Sequence, residues 1–383
     1  VVLLGIEALL ERQRRLLVGK RIGLVTNYNV MDRYFRSTVH LLTQERGWEV
    51  KKLFGPEHGV RNCAKEGEQV SSEVDPYTGL VAYSLYGDTH KPTSEMLQGM
   101  DVLVFDLVDV GARYYTNIGT MVHCLESCAE LGLPLVVLDR PNPLNGLTRE
   151  GNILSPSFAS LVGMFPMPNR HGLTLGELAM LYNQQLPRPC DLTVVRAEGW
   201  QRQMMWPETG LPFVPPSPNT TCFDMVLLYP GTCLVEGTNL SEGRGTTRPF
   251  EIIGAPFADA HRVANVFSEY GLPGVIARPT YFVPTYKKYV GVLCQGVQLH
   301  VTDAAALQPV KTGLLLLETF AKLYPNEFSI LEPRPNDRRF LDLLAGTDEL
   351  GDLIFEGRAT EYLEQSKAEL EAFNDKVSPF YLY

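Results

Sequence analysis

The chain has 383 residues, 45% hydrophobic and 20% charged, which is globular composition spread over a length that suits two domains rather than one core. Lys and Arg number 34 against 44 Asp and Glu, a formal net charge of −10 that argues against a nucleic-acid or anionic-membrane surface. No apolar run reaches the length of a membrane span. The chain opens Val1-Val2-Leu3-Leu4 without a basic leader pattern, so the expected compartment is periplasmic or extracellular if a leader has been removed and cytoplasmic otherwise.

In chain order, Ile6, Leu9, Leu10, Leu16 and Leu17 share one helical face closed by Gly19, and Ile22 to Val25 reads as a short buried strand. A helix over Ser37 to Gln44 leads to the run Val50 to Phe54, which stops at Gly55-Pro56 and delivers Glu57 and His58 before Gly59. Leu80 to Leu85 and Val102 to Leu107 are further strands. A helix from Thr120 to Leu131 stops at Gly132, and Leu135 to Leu138 is the next strand. Thr174-Leu175-Gly176-Glu177 is a capping box that opens a helix, and Leu192 to Val195 is another strand. Short apolar strands alternating with amphipathic helices specify an α/β fold, a parallel sheet covered on both faces in Rossmann-like order. No GxGxxG follows the first strand, so no nucleotide cofactor is inferred.

From Gly199 to Gly245 proline and glycine dominate, among apolar and aromatic residues, as in a long shaped connection. A second α/β unit follows, with helices near Asp259 to Tyr270, Ala304 to Leu323 and Ala359 to Phe373, and strands near Val275 to Tyr281 and Val292 to Val301. The division falls between 1–205 and 206–383. Seven scattered cysteines form no CxxC pair and no metal spacing, so neither a disulfide framework nor a metal site is expected; Cys124 and Cys128, one helical turn apart, read as packed thiols.

Ligands of open parallel sheets bind beyond the carboxyl ends of the strands. The polar residues just past the apolar runs are therefore the site candidates: Glu57 and His58; Asp106, Asp109, Arg113, Tyr114, Tyr115 and Asn117; Asp139, Arg140, Asn142, Asn145 and Glu150. A glutamate on a short, stiff loop suits a general acid, and two carboxyls facing one cleft are the equipment for glycosidic-bond hydrolysis. His171, just before a helix, is a further candidate whose structural role is the commoner one. The polar block Glu236-Gly237-Thr238-Asn239-Leu240-Ser241-Glu242-Gly243-Arg244-Gly245-Thr246-Thr247-Arg248-Pro249-Phe250-Glu251 has glycines that allow close backbone approach. Arg244 and Arg248 within it suit a bidentate grip on a carboxylate.

Leu53 to Gly59, Asp106 to Tyr115, Asp139-Arg140-Pro141-Asn142-Pro143, Arg170-His171-Gly172, Pro216-Ser217-Pro218-Asn219 and Tyr229 to Phe250 match, in order, the blocks of a known family. From Gly5 to Tyr383 the chain resembles the exo-β-N-acetylmuramidase glycoside hydrolases, formerly a domain of unknown function. Lys65-Glu66 departs from small residues common there. The resemblance implies a Rossmann-like N-terminal domain, a smaller C-terminal α/β domain and an active site between them. It also implies release of N-acetylmuramic acid from the non-reducing end of peptidoglycan fragments. Glu57 falls on the family glutamate taken as general acid, with Glu150 or Glu242 as second carboxylate. Arg113, Arg244 and Arg248 are candidates for the lactyl carboxylate, Tyr115 and Tyr281 for stacking on sugar faces, and His58, Asp106, Asn142, His171, Asn219, Glu236 and Asn239 for further substrate contacts. The expected partner is a muropeptide or disaccharide with terminal N-acetylmuramic acid. The rival expectations are a non-catalytic two-lobed sugar-binding protein and a metal-dependent hydrolase using His58, Asp106 and His171.

Overall fold

The apolar runs of the first half pair into one sheet in a computed structural model that describes residues 1–65, 67–333 and 337–383, leaving Glu66 outside the described residues. Its strands are β1 (Arg21–Val25), β2 (Glu49–Gly55), β3 (Glu73–Val74), β4 (Val81–Ser84), β5 (Val102–Phe105), β6 (Leu135–Leu138) and β7 (Leu192–Val195), in the order β3-β4-β2-β1-β5-β6-β7. All are parallel except the edge pair β3–β4. Successive side chains alternate between faces, which is why every position of the central strands β5 and β6 is apolar. Val102, Val104, Val136 and Leu138 enter one core layer. Leu103, Phe105, Leu135 and Val137 enter the other.

The helices between the strands are α1 (Gly5–Arg12), α2 (Thr38–Gln44), α3 (Ser94–Leu97), α4 (Asn117–Leu131) and α5 (Leu175–Asn183). Each limit has a local cause: the Ser37 hydroxyl accepts from the His40 N–H at the start of α2, Thr174 and Glu177 cap α5 reciprocally, and α4 ends in a left-handed Gly132. Cys124 and Cys128 on α4 are buried free thiols.

The second unit comprises α6 (Phe223–Thr232), β8 (Ile252–Ala255), α7 (Ala260–Ser268), β9 (Val275–Phe282), β10 (Cys294–Val301), α8 (Pro309–Leu323), α9 (Phe340–Ala345), α10 (Leu350–Phe355), α11 (Glu361–Gln365) and α12 (Lys367–Val377). Its antiparallel sheet has the order β8-β10-β9. Helices α6 and α8 cross in near backbone contact, since a Cβ on Gly231 would lie 1.8 Å from the Pro309 carbonyl oxygen. The stretch read as one long connection contains α6, with Pro230 inside it. Proline near a helix end misled the sequence reading, because in the last turn it removes only one intrahelical donor and the helix need not continue; the Pro230 carbonyl, past which the helix ends, accepts from the Tyr114 hydroxyl at 2.7 Å.

Trp200 and Leu211 still pack in the first core, and Met225 is in the second. The tail then returns: Phe373 and Val377 pack under the parallel sheet, and the Tyr383 hydroxyl donates to Asp139 at 2.8 Å. Among the described residues no helix is long and apolar enough to cross a membrane.

Candidate active site

In the sheet order, the chain leaves β1 toward β2 and β4 on one side and resumes at β5 on the other, so the carboxyl ends of these strands form a switch-point crevice. Glu57 stands just past β2 on a turn closed by the Gly59 N–H donating to the Pro56 carbonyl at 2.8 Å. Only glycine fits at position 55, where a Cβ would fall 2.5 Å from the Val60 nitrogen. The Glu57 carboxylate accepts from the Thr116 hydroxyl at 2.7 Å and from the Gly67 N–H at 3.4 Å. Beside it, His58 Nδ1 lies 2.9 Å from the Ala64 carbonyl and so carries its proton there. Burial pushes the His58 pKa below its ordinary value; the adjacent Glu57 opposes this and Arg244 reinforces it.

Arg244 belongs to the long polar block of the second unit, which therefore faces the Glu57 loop. Its guanidinium donates to Glu236 at 3.0 Å, lies 3.3 Å from Glu242 through Nε and stacks 4.8 Å over the Phe250 ring. Glu242 is 2% exposed and also meets the Lys288 ammonium at 3.1 Å. Lys288 comes from the hairpin between β9 and β10.

These two walls enclose a cleft of about 600 Å³. Of the residues predicted from sequence, Glu57, His58, Tyr114, Tyr115, Asn117, Asn219, Glu236, Glu242 and Arg244 line it together. Tyr115 is buried, which raises its pKa, and its hydroxyl lies beside the Ser217–Thr220 hydroxyl pair. Such a wall, apolar rings on one side and carboxylates held by cations on the other, can cradle a sugar and move a proton to a glycosidic oxygen.

The other predicted residues lie outside this cleft, most of them held by partners far along the chain. Glu150 accepts from the Lys311 N–H at 2.8 Å and so caps α8; burial raises its pKa against that bond. Asp106 is wholly buried, paired with the Arg140 guanidinium at 2.6 Å and 3.0 Å and receiving the Thr38 hydroxyl at 2.6 Å. Arg113 is 1% exposed and donates to the carbonyls of Asn152, Met167, Leu344 and Ala345, tying the two units together. Asn142 bonds Leu173 and Leu144. His171 Nδ1 accepts from the Leu173 N–H while Nε2 lies 3.1 Å from Asp109. Asn239 bridges to Glu327 and Ser329. Arg248 projects outward beside Glu251, and Tyr281 is 56% exposed on the edge strand β9. His58, Asp106 and His171 thus stand in three separate settings, and among the described residues no cluster of His, Cys, Asp and Glu is arranged to hold a metal ion.

Two family models cover nearly the whole chain: exo-β-N-acetylmuramidase NamZ, N-terminal, over residues 22–224, and its C-terminal counterpart over 227–383. The chain belongs to the exo-β-N-acetylmuramidase family. A peptidoglycan β-N-acetylmuramidase, NamZ, of Bacillus subtilis (strain 168) is 45% identical over 380 residues, 99% of this chain and 91% of that protein. Two crystal structures of DUF1343 family proteins from Bacteroides fragilis NCTC 9343 superpose over 100% of this chain and 99% of their own. Their TM-scores are 0.90 and 0.76, at 34% and 30% identity.

Within this exo-β-N-acetylmuramidase scaffold, the sequence reading passed over Thr116, Lys287, Lys288 and Arg338, which also line the cleft. Lys287 and Lys288 sit in an unremarkable hairpin sequence, and Arg338 lies in a charged stretch before α9 that reads as surface. Thr116 had a usable signal, since it immediately precedes a helix that starts beyond a strand end.

Proposed function

We propose that this protein is an exo-acting glycoside hydrolase that releases N-acetylmuramic acid from the non-reducing end of peptidoglycan fragments, with Glu57 as general acid. One observation carries the assignment: Glu57, set on a rigid loop, faces the same cleft as a second carboxylate, Glu242, and the two have different company. Among the described residues Glu57 has a hydroxyl and an N–H for partners, whereas Glu242 is flanked by Arg244 and Lys288. Unequal surroundings divide the labour between two carboxyls. Glu57 gives its proton to the departing glycosidic oxygen. The 2-acetamido group of the sugar attacks the anomeric carbon, as in the substrate-assisted departures from the two-carboxylate scheme, and Glu242 orients that group or the incoming water. Glu150, capping α8, is left a structural role.

The lactyl ether that separates a muramic acid from a glucosamine brings a carboxylate. Arg338 is the cation we assign to it: it lines the cleft with its guanidinium 4.2 Å above the Phe158 ring, a stacking that leaves the edge of the fork for a bidentate partner. The substrate is accordingly a muropeptide or disaccharide with a terminal N-acetylmuramic acid.

The test is turnover of a chromogenic β-N-acetylmuramide beside the matching β-N-acetylglucosaminide, for wild type and Glu57→Gln. Cleavage of the muramide alone, lost in the variant, is expected. A wild type that binds the muramide without cleaving it would overturn the catalytic assignment in favour of a two-lobed binding protein.

A further inference from the structure

The hairpin joining β9 to β10 carries backbone strain where it meets the cleft. Lys287 and Tyr289, neither of them glycine, adopt φ of 65° and 60°, in the left-handed region on either side of Lys288. Strain of this kind persists only where the surroundings over-determine it, and those surroundings are visible. The Thr285 N–H and hydroxyl donate to the Gly245 carbonyl at 3.1 Å and 2.8 Å. A Cβ on Gly245 would fall 2.3 Å from the Tyr286 nitrogen, so only glycine lets the polar block and the hairpin touch there. The Lys288 ammonium donates to the carbonyls of Leu240 at 2.8 Å, Val235 at 3.3 Å and Glu236 at 3.3 Å. Its position is therefore set by backbone, independently of the carboxylate it faces.

That carboxylate is Glu242, its side chain 3% exposed. Oε2 lies 3.1 Å from Lys288 and Oε1 3.3 Å from the Arg244 Nε. Two cations from different elements each fix one oxygen, which sets the rotation of the group. Held between these two cations, Glu242 lines the cleft.

We propose that Lys288 is a positioning residue for the reaction: delivered by the strained hairpin and anchored by three carbonyls, it holds the Glu242 carboxylate in the orientation that meets the substrate. The inference rests on the reading of Glu242 as the second working carboxylate. It assigns the β9–β10 hairpin a part in the active site as the carrier of that anchor.

A double-mutant cycle tests it. Turnover of the chromogenic muramide is measured for wild type, Lys288→Met, Glu242→Gln and the double variant, with melting temperatures alongside. Lys288→Met is expected to lower kcat about 10- to 100-fold with KM little changed, and to have less than about a 3-fold further effect once Glu242 is glutamine. Effects that multiply in the double variant, or a kcat in Lys288→Met within about 3-fold of wild type, would overturn the proposal. Lys288→Gln, which removes the charge but keeps an N–H donor on a shorter side chain, guards against a folding failure and must show the same dependence on Glu242. Wild-type turnover in Glu242→Gln removes the reading of Glu242 and the inference with it. Turnover retained in Glu57→Gln strikes the general-acid assignment instead.

Discussion

At the scale of single residues, Glu57 and Arg113 show how differently two polar groups near one sheet edge are used. Glu57→Gln keeps the size and the Thr116 contact but cannot release a proton, so kcat on the muramide is expected to fall by about 10²- to 10⁴-fold, the usual worth of a general acid, with an unchanged melting temperature. Arg113→Met should do the reverse. It removes a donor from four buried carbonyls, of which Met167 keeps the Leu154 N–H and Ala345 the Tyr362 hydroxyl; each one left unpaired costs about 1–3 kcal/mol, so a loss of about 2 kcal/mol or more in denaturant unfolding is expected, with near-normal KM in the folded fraction. Arg338→Met is expected to lower kcat/KM for the muramide by about 10- to 100-fold and leave binding of the glucosaminide alone, the loss of one charge-assisted carboxylate contact. His58 gives a pH signature. Burial lowers its folded pKa below the ordinary 6.5, so its contribution to stability is full above that value and is lost as the pH falls through the folded pKa. Chemical denaturation at pH 7 and pH 5 should therefore show a smaller acid loss in His58→Asn, whose amide can replace Nδ1 at Ala64, than in wild type. What the sequence could disclose at this scale was position along a strand end. It marked Glu57 and Glu242 because stiff or glycine-rich segments surround them, but Asp106 and Arg113 stand at equally good positions. Whether a polar side chain there faces a cleft depends on whether Arg140 or the Leu344 and Ala345 carbonyls arrive to consume it, and those partners lie far along the chain.

Among the elements, the parallel strands were the most legible. β6 and β7 have the limits their apolar runs suggest; in β6 four consecutive buried positions leave no other periodicity open. Helix α6 was hidden for the opposite reason: its residues 223–232 are almost all buried, so no polar face marks the period, and Pro230 reads as a breaker. Its packing is tight enough to predict. Gly231→Ala would drive a methyl into the Pro309 carbonyl at the crossing with α8, and overpacking of that kind costs about 1–3 kcal/mol or more, measurable as a lower denaturation midpoint. Because α6 leads directly into Glu236 and the polar block, activity should fall with it.

Over the whole molecule, the two units are less separate than a division into halves suggests. Both bound the cleft, Arg113 ties one to the other, and the chain after α11 goes back to pack beneath the sheet it left at β7. Asp139, in the first unit, receives hydrogen bonds from Thr174, from the Gly176 N–H and from Tyr383; even so, burial pushes its pKa up to about 6. The Ala197 N–H in turn donates to that same tyrosine hydroxyl at 2.9 Å. The return of the tail bears on how the protein is made. A ribosome emits the parallel sheet first, yet Phe373, Val377 and Tyr383 leave the exit tunnel only after the second unit through α11. Until then the lower layer of the sheet has an uncovered apolar floor and a buried carboxylate short of one donor. The nascent N-terminal half must therefore wait in an unfinished state while the second unit is made, and its final closure comes after that synthesis rather than with its own.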